Sequence, residues 1–151
     1  YESLDWKKVL DVNLTGVYNC IKCQIDEMRK QAGGGSIVST SSAAGLIGIP
    51  GASGYNSAKH GVIGLSKTIA LEYASQNIRV NAVCPGFIET PMLERVTDAS
   101  IKIREQLIKM VPMKRVAKPS EIADAVAWLL SDRSTYVTGV ALPVDGGWIA
   151  Q

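Results

Sequence analysis

Tyr55 and Lys59 stand four residues apart in a stretch with helical periodicity, so their side chains project from one face. A phenol with an ordinary pKa near ~10 is a poor general base at neutral pH. A fixed ammonium one turn away favours the phenolate and makes the pair a candidate proton-transfer device. Taken alone, a solvated lysine beside a packed tyrosine explains the pair as well. Ser42 lies thirteen residues before Tyr55, at the end of an apolar run, with a glycine-rich stretch between them. Strand ends face the ligand crevice of an open parallel sheet, although Ser41 and Ser42 also suit a plain turn. Asn13 falls mid-helix, where asparagine is mildly unfavourable, and a helix-surface role accounts for it equally.

Other candidates carry less. Cys20 and Cys23 have redox spacing but lie inside a helix, away from an N-terminus that would lower a thiol pKa; packing is the expectation. His60, the only histidine, points about 100° away from Lys59, and no metal-ligand cluster is present. Gly33–Gly35 lacks the preceding strand and following helix of a phosphate cradle. Asp145-Gly146-Gly147 reads as a terminal turn.

The elements that must position these residues follow from periodicity. Leu10, Leu14, Val17, Ile21, Ile25 and Met28 predict an amphipathic helix from about residue 10, ended by the glycines at 33–35. Residues 36–40 predict a buried strand and 43–54 a loop. A second helix over about 54–74 buries Ala58, Val62, Leu65, Ile69 and Tyr73. Residues 78–83 predict a strand closed by Cys84-Pro85-Gly86. An excursion over 87–112 has helical pieces at 92–96 and 101–110. Pro119 opens a third main helix burying Ile122, Val126, Leu129 and Leu130, and 140–144 is a last strand. Strands alternating with helices imply an α/β fold with a parallel sheet. Only three strands are visible, and the chain opens on a helix.

The 151 residues are 46% hydrophobic and 20% charged, an ordinary globular mixture, and one domain over 1–151 is expected. Sixteen Lys and Arg against fourteen Asp and Glu leave +2 with the signs interspersed, which excludes a nucleic-acid footprint. No apolar run approaches a membrane span. Three cysteines cannot all pair, which points to a reducing compartment, the cytoplasm.

Asn13-Leu14-Thr15-Gly16, Gly35-Ser36-Ile37-Val38, Ser42-Ala43-Ala44-Gly45, Tyr55-Asn56-Ser57-Ala58-Lys59, Asn81-Ala82-Val83-Cys84-Pro85-Gly86, Thr90-Pro91-Met92 and Val144-Asp145-Gly146-Gly147 stand in this order. From about Leu4 onward the chain resembles the short-chain dehydrogenase/reductase family, in the branch with an Asn-Ser-Tyr-Lys tetrad. The resemblance implies the C-terminal part of a doubly wound, Rossmann-like fold, and an oxidoreductase that uses NAD or NADP to interconvert a secondary alcohol and a ketone. By the same resemblance, Tyr55 is the general acid or base and Ser42 hydrogen-bonds the substrate oxygen. Lys59 lowers the Tyr55 pKa and binds the nicotinamide ribose, while Asn13 holds a water of a proton relay, for which its helix needs a local irregularity. Pro85 and Gly86 shape the turn against the nicotinamide; the Ile88 backbone and Thr90 hydroxyl hold its carboxamide.

Residues 87–112 become a substrate lid carrying Met92, Leu93, Val96, Ile101, Ile103 and Leu107. The tail from Asp145 to Gln151 is similar to those of sugar, cyclic-alcohol and 3-oxoacyl reductases. Ser57, Gly61, Gly64 and Thr68 form a small-residue stripe, and the resemblance implies a homotetramer or homodimer with an isologous interface. The family's glycine-rich phosphate turn and the residue selecting NAD over NADP have no counterpart here, so about 100 residues, one mononucleotide-binding half, are expected to be missing. The first strand is then left with an unpaired edge. The alternative is a truncated, non-catalytic member acting as an interaction or oligomerisation module.

Overall fold

The computed structural model describes residues 3–97 and 100–150. In chain order these form helices α1 (Ser3–Leu10) and α2 (Gly16–Met28), strand β1 (Gly35–Thr40), helix α3 (Ser53–Tyr73) and strand β2 (Ile78–Pro85). Helices α4 (Pro91–Val96), α5 (Ile101–Met110) and α6 (Pro119–Leu130) and strand β3 (Ala141–Val144) complete them. The three strands make one parallel sheet in the order β1-β2-β3. Gly35 pairs with Ile78 and Thr40 with Val83, while Ala82 pairs with Ala141 and Pro85 with Val144. Among the described residues β1 has a ladder on one side only, as the three-strand reading implied.

Side-chain alternation along β2 sorts the two faces. Ile78 and Val80 join Ile21, Ile25, Ile37, Ile69 and Ala70 in a core under α2 and α3, and Ala82 and Cys84 meet Ile63 further along. Each fully buried branched side chain stabilises this layer by about 1.5–3 kcal/mol. Arg79 and Asn81 point to the opposite face. The Arg79 guanidinium donates to the carbonyls of Leu129, Val137 and Ser131, stopping the C-terminus of α6. At the other end of α6, Pro119 occupies the first turn and the Glu121 carboxylate accepts from the Lys118 N–H at 2.8 Å. Arg115 grips the same carboxylate with two bonds of 2.7 and 2.6 Å.

Where β1 and β2 begin, the backbone is interlocked. Gly34 has φ +69°, and a Cβ there would stand 2.0 Å from the Asn77 carbonyl oxygen. Asn77 is itself left-handed (φ 57°); its carbonyl accepts from Gly35 N–H at 3.1 Å and its amide donates to the Gly33 carbonyl at 2.7 Å.

Several elements differ from the sequence expectation. The first helix begins at Ser3, not near residue 10, and contains a wide π turn over Asp11–Thr15, with the Gly16 N–H reaching five residues back to the Asp11 carbonyl. β2 runs on to Pro85, because its last carbonyls still pair with β3. Leu130 is 45% exposed: it lies one step round α6 from Leu129, which fills the contact. Cys20 and Cys23 are exposed instead of packed, since Ile21 and Ile25 take the inward face of α2. Along the 87–112 excursion, Leu93 is buried, whereas Met92, Val96, Ile101 and Ile103 lie open to solvent; Asp98 and Ala99 lie outside the described residues. Gln151 does also.

Candidate active site

β1 and β2 end side by side, and the residues singled out for chemistry gather at those ends. The ladder continues past β1, where Ser41 N–H donates to the Val83 carbonyl at 2.8 Å. Ser42 is extended, and its hydroxyl accepts from the Ala44 N–H at 3.1 Å, capping a short 3₁₀ turn over Ala43–Gly45. The turn lies tight on α3: a Cβ on Gly45 would stand 2.5 Å from Ser41 Oγ and 2.8 Å from the Lys59 carbonyl oxygen. Only glycine permits that approach.

On α3, Lys59 Nζ sits 5.5 Å from the centre of the Tyr55 ring and donates to the Thr40 carbonyl at 3.0 Å. Lys59 is 8% exposed, and burial holds its pKa below the ordinary lysine value, with the neighbouring Cys84 opposing the effect. Burial pushes the Cys84 thiol up in turn, against the pull of hydrogen bonds from Ser41 and Ser42 and of the Lys59 charge. The cationic side chain is therefore tied to the end of β1, two residues before Ser42, and beside the tyrosine ring.

Asn13 lies within the π turn, in the irregular helix expected for it. Its amide donates to the Val9 carbonyl at 3.1 Å, within its own helix, and to no side chain of α3. The same turn presses on α3 through Leu14, whose side chain would be 2.8 Å from a Cβ on Gly61.

The second group surrounds the end of β2. Gly86 N–H donates to the Val144 carbonyl at 3.1 Å, and a Cβ on Gly86 would stand 2.8 Å from Asp145 Cα. Residues 87 and 89 use their carbonyl and N–H on Ala117 in a parallel bridge, which turns the N–H of Ile88 the opposite way. Thr90 caps α4, but its hydroxyl is lightly held, by contacts of 3.3 Å to the Ile88 carbonyl and 3.4 Å from Leu93 N–H. A cavity of about 420 Å³ opens on the β3 side, lined by Phe87, Met113, Arg115, Pro143 and Asp145 among others; neither Ser42 nor Tyr55 borders it. Among the described residues no cluster of three His, Cys, Asp or Glu side chains suits a metal ion, and no helix is long and apolar enough to cross a membrane.

The model of the enoyl-(acyl carrier protein) reductase family matches residues 1–149. Over 145 residues the chain is 48% identical to 3-oxoacyl-[acyl-carrier-protein] reductase FabG of Thermotoga maritima, covering 96% of this chain and 57% of that protein. The chain belongs to the short-chain dehydrogenase/reductase family. Its fold agrees with solved members of that family: levodione reductase superposes with a TM-score of 0.95 at 40% identity, covering 99% of this chain and 60% of that one. The structure of ElxO with NADP bound gives 0.92 at 34% identity, over 100% of this chain and 60% of that one. The chain thus spans somewhat under two thirds of the length of these short-chain dehydrogenases/reductases.

Sequence reasoning assigned no role at the site to two residues that the structure places there. Ser41, 3% exposed, donates its hydroxyl to the Lys59 carbonyl at 2.9 Å. Asn56 donates to the Ile47 carbonyl at 2.7 Å, and its Oδ1 is buried without a partner. Away from the site, on the other face of β2, the fully buried Asn81 spans the Val137 carbonyl and the Val140 N–H.

Proposed function

We propose that the protein carrying this chain is a nicotinamide-dependent oxidoreductase that interconverts a secondary alcohol and a ketone. The observation that carries the reading is the buried Lys59 ammonium, fixed to the end of β1 two residues before Ser42 and held beside the Tyr55 ring. The nicotinamide end of the cofactor fits the residues present: the Ile88 N–H is turned away from its bridge, the Thr90 hydroxyl is lightly held, and Gly86 leaves no side chain at the turn after Pro85. When bound, NAD or NADP supplies or accepts the hydride.

In this reading Tyr55 gives its phenolic proton to the carbonyl oxygen in reduction and takes the alcohol proton in oxidation. Ser42 donates a hydrogen bond to that same oxygen and stabilises the charge growing on it. Lys59 holds positive charge against the Tyr55 ring and reaches the nicotinamide ribose hydroxyls. Asn13, in the π turn against α3, holds the water that passes the proton to solvent. Pro85 and Gly86 shape the wall facing the nicotinamide, with Ile88 and Thr90 on its carboxamide. The apolar side chains Met92, Val96 and Ile103, open to solvent, favour a partly apolar substrate, and the relatives named above include a 3-oxoacyl reductase. Pairing of two copies through α3 is supported by Gly64, which has nothing within 4 Å, between exposed Ser57 and Thr68. Gly61, filled by Leu14, serves packing within the chain.

The second reading is an interaction module without catalysis. It is favoured by one observation: among the described residues no glycine-rich turn joins a strand to a helix in the way a diphosphate requires. Titrating the protein with reduced dinucleotide separates the two, through quenching of protein fluorescence and enhancement of the nicotinamide signal. Tyr55→Phe is expected to abolish turnover with dinucleotide affinity nearly unchanged. Turnover retained in that variant would remove Tyr55 from its role.

A further inference from the structure

Lys59 is held twice, and by adjacent residues of the same strand end. Its ammonium donates to the Thr40 carbonyl at 3.0 Å, and its own carbonyl accepts from the Ser41 hydroxyl at 2.9 Å. The second bond is not needed to satisfy the lysine backbone. Residue 59 lies in the interior of α3, where its carbonyl already has a helical N–H partner four residues on. What the Ser41 bond adds is a fixed register between the strand end and the helix. Further along the same segment the next tie falls on Ile47, whose carbonyl accepts from Asn56 at 2.7 Å. Ser42 therefore lies on a segment stapled to α3 at residues 40 and 41 and again at 47. Gly45, with no room for a Cβ against Ser41 Oγ or the Lys59 carbonyl, keeps the middle of that segment pressed on the helix.

We propose that Ser41 is a positioning residue, whose hydroxyl clamps the backbone of Lys59 to the strand end that Lys59 grips with its ammonium, so that Ser42, Lys59 and Tyr55 keep one geometry. The inference rests on the oxidoreductase reading for its consequence, and on hydrogen bonds independent of that reading for its geometry. A long lysine chain otherwise spreads over many rotamers; anchored at both ends, its charge stays where Tyr55 needs it.

The test compares Ser41→Ala, Ser41→Thr and Ser41→Val in the full-length protein, since threonine and valine share a shape and differ in the hydroxyl. Misplacement of the reacting groups by a fraction of an ångström is expected to lower kcat about 10- to 100-fold in the alanine and valine variants. The midpoint of their kcat–pH profile is expected to move, and threonine to recover most of the loss. In the unliganded protein, with lysine labelled for NMR, the Lys59 side-chain titration is expected to move towards that of an ordinary lysine in the alanine and valine variants only.

A structural role alone would lower the melting temperature and leave the pH profile and the Lys59 signal in place. The inference is overturned if alanine and valine variants keep kcat within about twofold of wild type with an unmoved Lys59 signal, or if threonine behaves as valine does. A wild-type protein without turnover on any ketone would sink the oxidoreductase reading instead, and the Lys59 signal would still decide the clamp.

Discussion

Replacing Asn81 with alanine is expected to destabilise the protein by about 2–4 kcal/mol. The side chain is fully buried in β2, its amide donating to the Val137 carbonyl at 2.9 Å and its oxygen accepting from the Val140 N–H at 3.0 Å. The bond to the Val137 carbonyl is worth about 1 kcal/mol, and loss of the other leaves the Val140 N–H to bear its desolvation cost of about 1–3 kcal/mol. The Val137 carbonyl keeps a bond from Arg79 at 3.2 Å, so Val140 N–H is the group stranded, and the sum stays below the full double penalty. In a protein of this size that corresponds to a fall in melting temperature of about 4–15 °C.

Asn81→Asp makes the argument sharper. It keeps the acceptor for Val140 but sets a second acceptor against the Val137 carbonyl. Burial raises the carboxyl pKa in the folded state, so its neutral form, which can donate, is favoured below the unfolded value near ~3.9. Stability present at acid pH is then lost as pH rises through the folded pKa, and the variant lies closest to wild type in acid and furthest at pH 7. Urea unfolding followed by circular dichroism across pH 3–7 measures both effects. An alanine variant within about 0.5 kcal/mol of wild type, or an aspartate variant with wild-type stability at neutral pH, would refute the reasoning.

Lys59→Met is expected to raise the melting temperature by a few degrees at pH 7 while removing turnover, because burial depresses the lysine pKa and the charged form is carried into the fold at a cost. That cost is present below the folded pKa and fades as pH rises through it towards 10.5, so melting curves of the two proteins should converge at alkaline pH. Glu121→Gln is expected to lose stability that wild type holds in full above pH 4.5 and gives up as pH falls through about 2, where Arg115 and the Lys118 N–H hold the carboxyl pKa; an acid titration of both proteins reads it. Gly86→Ala, whose Cβ would meet Asp145 at 2.8 Å, is expected to cost about 1–3 kcal/mol and to weaken dinucleotide binding, measured by fluorescence titration.

Periodicity located the helices well because their inward residues are apolar and regularly spaced. Ile21 and Ile25 on α2, and Ala58, Val62 and Ile69 on α3, are buried as their spacing requires. The start of the first helix was less legible, since half of the residues in its first two turns, over Ser3–Leu10, are polar. The π turn left no trace in the apolar spacing; it entered only as a requirement placed on Asn13. Of the candidate site, the Tyr55–Lys59 face was readable because four residues make one helical turn. The clamp on Lys59 was not, because it joins Ser41 to a carbonyl eighteen residues away through contacts that no local pattern encodes. Leu130 shows the converse limit: being apolar beside Leu129 did not bury it, since a helix presents neighbouring residues about 100° apart.

The interlocked backbone at Gly34 and Asn77 lies at the opposite end of the strands from Ser42 and Pro85, with β1 alone contributing about 20 Å between them. The molecule therefore has one end whose geometry is fixed by backbone fit and another that carries the candidate site. Attachment chemistry benefits from that division. A single cysteine, a fluorophore or a surface tether placed on the exposed residues 74–76, beside the lock, would hold the protein with its strand ends facing outward. Copies immobilised this way would share one orientation and leave the candidate site free to solution.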